Sequence, residues 1–354
     1  ADAFLIAVPT PFISGKTEGS VPQPDLSFIE AAAKSVAIVL KKGDLVILES
    51  TSPVGATEQM TAWLADARPD LTFPQTHGEN SDIRVAHCPE RVLPGHVVRE
   101  LVENDRIIGG MTHKCSAAAI ELYKIFVNGE CIVTNARTAE MAKLTENASR
   151  DVSIAFANEL SIICDNLGID VWELIGLANL HPRVNILQPG PGVGGHCIAV
   201  DPWFIVAASP EESKLIKTSR EINDSKPDWV VSKVKLAIER CLSGNSGVRP
   251  QDLKIACYGL AFKADIDDLR ESPAVSIVKK IIGINRGQTL LVEPNILKIP
   301  KELSGGELVN FRDALLLADI HLLLVDHSSF KSDRPSVGEI IDTRGIWTSS
   351  NNIG

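Results

Sequence analysis

The chain has 354 residues, 44% of them hydrophobic, and a formal net charge of −10. That length suits two or three domains with their own cores. The acidic balance argues against nucleic acid or an anionic membrane as the main partner, while leaving room for a small anionic ligand held by local basic groups.

From its first residues the chain reads as α/β. It opens on Ala1 and enters at once a buried-strand pattern over 4–8, closed by Pro9-Thr10-Pro11. Without a methionine or a polar lead, it reads as missing an N-terminal portion. Further apolar runs of buried-strand type lie at 45–48, 83–86, 254–259, 289–292 and 320–325. Helical periodicity falls between them at 26–40, 56–65, 116–128, 274–282 and 311–318. This alternation predicts βαβ units with right-handed crossovers.

Two polar loops follow strands, ESTSPVG (49–55) and HCPERVLPG (87–95). In open parallel sheets ligands bind beyond the carboxyl ends of strands, so Thr51 and Glu90 are candidates to face one. Turn chemistry alone would also account for their Pro and Gly content.

Midway the pattern changes. Residues 138–168 read as one helix of about thirty residues, longer than usual, with Thr138 as N-cap and Gly168 as stop. Lys143, Asn147 and Arg150 stand at i, i+4 and i+7 and share one face. A lysine, an amide and an arginine on one line could hold an anionic oxygen and a sugar hydroxyl. More helix is expected at 211–222 and 228–242, then a linker at 243–247.

The segment GPGVGGHCIAVDPWF (190–204) sets four glycines just before Cys197, with Asp201 four residues beyond. Glycine lets a backbone approach a ligand closely, and a thiol delivered on such a turn is a candidate nucleophile. The seven cysteines are odd in number and form no CxxC pair. Neither a disulfide framework nor a metal site is expected, and a reducing cytoplasm suits that usage. No apolar run approaches the roughly 18 residues of a membrane span.

Near the end, a strand enters the loop GLAFK (259–263), and DDLRESP (267–273) leads into a helix with Ser272 as N-cap and Pro273 at N1. A basic loop beside a helix N-terminus suits a phosphate. No GxGxxG follows any strand.

Together VPTP (8–11), ESTSPVG, CPERVLPG (88–95), TAEMAKLTENASRD (138–151), HPRVNI (181–186), GPGVGGHCIAVDPWF, GLAFK and DDLRESP make the chain resemble the UDP-glucose/GDP-mannose dehydrogenase family, in family order. The GGHCIAVDPWF and PERVLPG forms resemble its N-acetylhexosamine branch. The resemblance implies two Rossmann-like doubly wound parallel-sheet domains joined by a long central helix. Residues 1–137 would be a partial NAD-binding domain, 138–245 a helical dimerisation domain with the cysteine loop, and 246–354 a UDP-binding domain.

The implied activity is NAD-dependent oxidation of UDP-N-acetyl-D-mannosamine at C6 to the uronate, in two stages, for cell-surface polysaccharide precursors. The glucosamine epimer and an inactive UDP-sugar-binding fragment are the alternatives. By the same resemblance Cys197 would capture the aldehyde, Lys143 and Asn147 would stabilise oxyanions, and Glu90 and Asp201 would organise water or act as base. Arg91, Val92, Lys143, Asn147, Arg150, His181, Arg183, Gly194, Phe262 and Lys263 would line the UDP-sugar site, Arg183 reaching it from a partner subunit. Thr10, Thr51 and Arg270 would contact NAD. Arg344 and Thr348 are both possible matches to a distal substrate-binding arginine of relatives. A homodimer through the helix 138–168 is expected.

Overall fold

A computed structural model describes residues 1–13, 20–92, 97–195, 197–244 and 249–347. Two compact units emerge, the first from 1–149 with 200–217 and the second from 150–199 with 218–354.

The first unit is built on a five-stranded sheet in the order β1 (Ala3–Ile6), β2 (Leu45–Leu48), β3 (Arg84–His87), β4 (Arg106–Gly110), β5 (Cys131–Asn135). All neighbours run parallel except β3 and β4. Helices α1 (Ser27–Ala37), α2 (Ala56–Ala67), α3 (Pro74–His77), α4 (Val97–Glu103) and α5 (His113–Tyr123) connect the strands. β2 is buried at all four positions, as a strand covered on both faces must be. One of its faces joins the core of Ile29, Ala33, Met60 and Leu64, the other that of Ala119 and Tyr123.

β4 and β5 have no counterpart in the sequence reading. Arg106–Gly110 ends in two glycines, which no periodicity rule favours in a strand. Cys131–Asn135 is half-exposed and lacks the run of buried positions that marks the others.

The long helix α6 runs Ala136–Leu167. Its start lies two residues before the expected one: Asn135 Oδ1 accepts from the Thr138 amide at 2.9 Å, so Asn135, not Thr138, supplies the cap. The stop is at Gly168 as expected, with φ +68° and the Ile169 amide donating back to the Cys164 carbonyl. After it come α7 (Val171–Ala178), α8 (Asp201–Ala208) and α9 (Lys214–Gly244).

α9 is one helix where two were expected, with Pro227 inside it. A proline removes an intrahelical hydrogen bond and crowds the preceding turn. Here the residues around it, Asn223 and Lys226, are buried and bonded to α6 side chains, and those contacts carry the helix through. Of the expected linker, 245–247 lie outside the described residues.

The second unit's sheet is parallel throughout, in the order β10 (Glu339–Asp342), β9 (Ile320–Leu323), β6 (Lys254–Tyr258), β7 (Gln288–Val292), β8 (Glu307–Leu308). Helices α10 (Pro273–Ile284) and α11 (Phe311–Leu317) flank it. From β6 the chain winds outward to β7 and β8, then returns to β9 on the other side. The crevice beyond the carboxyl ends of β6 and β9 is therefore the topological switch point, where such sheets bind ligands. Among the described residues no helix is long and apolar enough to cross a membrane.

Candidate active site

In the first unit, Leu144 and Ala148 of α6 pack against Phe204 and Ile205 of α8. This fixes the adjoining α6 face, with Lys143 and Asn147, beside the start of α8. Asn147 Nδ2 donates to Asp201 Oδ2 at 2.6 Å. Burial pushes the Asp201 carboxyl up to about 6, against the opposing pull of the Asn147 hydrogen bond and the Lys143 charge. A buried carboxylate near 6 is mostly ionised at neutral pH and is suited to accept a proton.

That shift has a stability consequence. The folded state holds the proton more tightly than the unfolded chain, so this group's contribution falls as pH rises from about 4 to about 6 and is then constant. Replacing the carboxyl by its neutral analogue, Asp201→Asn, removes the step. The melting temperature of the variant relative to the parent should therefore rise between pH 4.5 and 7.5, by an amount corresponding to 1 kcal/mol or more. A constant difference across that range would refute the assignment.

The two strand-end loops lie in the same unit. Thr51 and Glu90 are half-buried, and Glu90 Oε1 accepts from the Val92 amide. Arg91 pairs with Glu146 of α6 at 2.7 Å, and Val92 is half-buried. Residues 93–95 of this loop lie outside the described ones. Ser50 Oγ accepts from Val8 N and ties the end of β2 to that of β1. Around it, Thr10 Oγ1 and Ser52 Oγ are enclosed and have no hydrogen-bond partner among the described residues. Buried hydroxyls without partners are costly. They fit groups that a bound cofactor completes, at the strand ends where a dinucleotide sits in sheets of this type.

Glu140 lies on the same stripe of α6 as Lys143 and Asn147, one turn nearer the helix start, and it is buried. Its carboxylate accepts from Gly55 N at 2.6 Å and Thr57 N at 2.7 Å, capping α2 from a distance of more than eighty residues. Sequence reasoning had no signal for that pairing.

In the second unit a cavity of about 470 Å³ occupies the switch point. Ala261, Phe262 and Lys263 after β6 line it, with Val325 and Asp326 after β9, Arg150 and Ile154 of α6, and the segment Gly190–Gly194. Four of the expected substrate residues, Arg150, Gly194, Phe262 and Lys263, thus converge on one cavity. Arg344 joins them, held by Asp326 at 2.7 Å. Thr348, its rival in the sequence reading, lies outside the described residues.

Side-chain size explains the glycines here. A Cβ on Gly194 would stand 2.6 Å from the Glu271 carbonyl oxygen and 2.7 Å from Pro273 Cδ, and Gly195 has φ +82°. Ser272 Oγ accepts from Ala274 N and Pro273 holds N1, so α10 starts as the sequence predicts, against this cavity. Behind the GLAF turn, buried Glu293 Oε2 accepts from Leu260 N at 2.7 Å and from Ala261 N at 3.1 Å. The Asp265 amide donates to His327 Nδ1, leaving His327 Nε2 as the donor to Glu293.

Cys197 is the exposed cysteine of the seven; Cys88, Cys115, Cys164 and Cys257 are buried and Cys131 and Cys241 half-buried. His181 and Arg183 are exposed, the Arg183 amide donating to His181 Nδ1, and neither lines the cavity. Arg270, expected at the cofactor, is exposed and paired with Asp268 at 2.6 Å.

Residues 1–127 match the NAD binding domain of the UDP-glucose/GDP-mannose dehydrogenase family, 137–225 its central domain and 256–349 its UDP binding domain. The chain belongs to this family. Its cofactor is NAD and its fold that of the family's two Rossmann-like units. An NDP-N-acetyl-D-galactosaminuronic acid dehydrogenase of Ralstonia nicotianae is 64% identical over 351 residues, 98% of this chain and 79% of the relative. A UDP-N-acetyl-D-mannosamine dehydrogenase of Yersinia pestis is 64% identical over 353 residues, 98% of this chain and 82% of the relative. Among solved structures, the UDP-D-ManNAc dehydrogenase of Pyrococcus horikoshii aligns with TM-score 0.83 at 37% identity, covering 99% of this chain and 78% of that one.

Proposed function

We propose that this family member oxidises the C6 alcohol of UDP-N-acetyl-D-mannosamine to the carboxylate in two stages, supplying a precursor for cell-surface polysaccharide. The observation that carries the reading is the switch-point cavity, one wall of which is the glycine segment that leads into exposed Cys197. Lys263, Arg150 and Arg344 give it the cationic lining a diphosphate needs, and Phe262 an aromatic face for a base.

When bound, NAD would supply the hydride acceptor for each oxidation stage. The residues then have the following work. After the first stage, Cys197 Sγ adds to the C6 aldehyde and the carbonyl oxygen takes up a proton, giving a thiohemiacetal. Loss of hydride from C6 and of the hydroxyl proton leaves a thioester. Water attacks the thioester carbonyl, the C6–S bond breaks with the Cys197 thiolate as leaving group, and the uronate is released as the protons of water pass to a base and to solvent. Lys143 and Asn147 are assigned to the oxyanions by charge and hydrogen bond. Asp201, ionised at neutral pH, is assigned to the proton of the attacking water, and Glu90 to its placement. Thr10, Thr51 and Arg270 are assigned to NAD, and Arg91, Val92, His181 and Arg183 to the sugar nucleotide. An exposed catalytic thiol suits a reducing cytoplasm.

A second reading, the galacto configuration, is favoured by the 64% identity of the Ralstonia relative. Epimers differ at single stereocentres, so a few contacts decide between them. Product analysis with NAD and the UDP-linked N-acetyl manno, gluco and galacto sugars tests this. The manno uronate should form fastest; a dominant galacto uronate would establish the second reading, and no uronate from any sugar would establish a binding fragment.

The homodimer follows from the same reading. On the second half of α6, Phe156, Ile163 and Leu167 are exposed, and α7 adds Leu177. Apolar side chains on one long helix are most simply covered by a two-fold copy. Light scattering at micromolar concentration should give twice the chain mass, and Phe156→Glu with Ile163→Glu should shift it to one. A folded wild-type monomer would overturn the dimer.

A further inference from the structure

The glycine segment has few side chains with which to hold its own shape. Gly190, Gly192, Gly194 and Gly195 give it wide backbone freedom, and ordering such a stretch is entropically expensive. Something outside the segment must hold it.

The second unit contains a buried chain of polar side chains that reaches it at two points. Asn158 of α6 is fully buried. Its Oδ1 accepts from the Gly190 amide at 2.9 Å, and its Nδ2 donates to Asn223 Oδ1 of α9 at 2.8 Å. Asn223 Nδ2 in turn donates to Asp151 Oδ1 at 2.8 Å, and Arg220 Nη1 donates to the same oxygen at 2.5 Å. Arg220 Nη1 also points to the Ile198 carbonyl, at 3.5 Å. The relay therefore meets the chain at Gly190 and at Ile198, on either side of Cys197.

The direction of the relay is forced. A backbone N–H stands at one end and a carboxylate at the other, so each amide must present oxygen toward Gly190 and nitrogen toward Asp151. Apolar packing could join α6 to α9 at less desolvation cost, since buried ionic networks add little net stability. A directional chain of buried hydrogen bonds does, however, favour one arrangement, even though Asp151 Oδ2 and Arg220 Nε at its far end have no partner among the described residues.

We propose that Asn158 is a positioning residue for the cysteine segment, acting through the Gly190 amide. This rests on the reading of Cys197 as the nucleophile. A carboxamide is required because it must accept from Gly190 and donate to Asn223 at once. Asn158→Leu keeps the branching of the side chain and removes both bonds; Asn158→Asp keeps the acceptor for Gly190.

Hydrogen exchange read by mass spectrometry on the full chain without substrate tests this. In Asn158→Leu, exchange over 190–198 should rise about tenfold while α6 and α9 peptides stay within about twofold. In Asn158→Asp the segment should stay within about threefold of the parent. If the leucine variant does not fold, Asn158→Ser, whose hydroxyl is too short to reach Gly190, is judged by the same criterion. Unchanged exchange over 190–198, or acceleration spread equally over α6 and α9, overturns the proposal.

Turnover of the leucine variant should fall about tenfold with KM for the UDP-sugar within about threefold, the pattern of a misplaced reacting group. Because exchange is measured without substrate, a parent chain that makes no uronate would sink the dehydrogenase reading while leaving the exchange result to decide the positioning role.

Discussion

Cys197→Ser should abolish uronate formation while UDP affinity stays within about twofold of the parent. A serine hydroxyl is barely ionised at neutral pH and is a poor nucleophile without an adjacent base, so the aldehyde is no longer captured and returned as a hydride donor. UDP binding should survive because the cavity is lined by Arg150, Phe262, Lys263 and Arg344 and not by the thiol. The parent offers a second check. Iodoacetamide should label Cys197 first, since it alone of the cysteines is exposed, whereas burial pushes the Cys88 thiol up to about 11 and that of Cys257 up to about 12. Uronate produced by the serine variant at the parental rate would end the covalent proposal.

Lys143→Ala should lower turnover by a factor on the order of 10² or more, with a smaller change in KM. A fixed ammonium aimed at a developing oxyanion stabilises the transition state more than the ground state, and its loss therefore falls on kcat. The Asp201 carboxyl supplies an independent readout. The Lys143 charge pulls its pKa down from where burial alone would put it. Removing that charge should raise it further, so the acidic limb of the pH–rate profile should move to higher pH in Lys143→Ala. A variant with raised KM and unchanged turnover would assign Lys143 to ground-state binding instead. An unmoved acidic limb would remove Asp201 from the role of base.

Much of the scaffold is written in local pattern. The run Lys254–Tyr258, the Ser272-Pro273 start of α10, the Gly168 stop and the long period of α6 all depend on residues within a turn or two of one another, and the sequence reading agrees with the structure there. The family, too, is legible from motifs whose order along the chain is itself information. Residue types at those motifs name the candidate chemistry: a thiol among glycines, a lysine and an amide one turn apart.

What the local pattern does not contain is which distant groups meet. Asn147 and Asp201 are 54 positions apart, and the raised Asp201 pKa comes from burial that only the packing of α8 on α6 creates. Glu140 caps α2 across 85 residues, Arg344 joins the cavity because β10 lies beside β9, and Pro227 fails to end α9 because buried side chains hold the helix on both sides. The link from Asn158 to Gly190 is of the same kind. Helix period, caps and turn residues report short-range sterics and hydrogen bonding, so the sequence determined the elements and the family. Desolvation and long-range hydrogen bonds exist only once those elements are packed, so the tertiary structure decided each group's partner and its proton affinity.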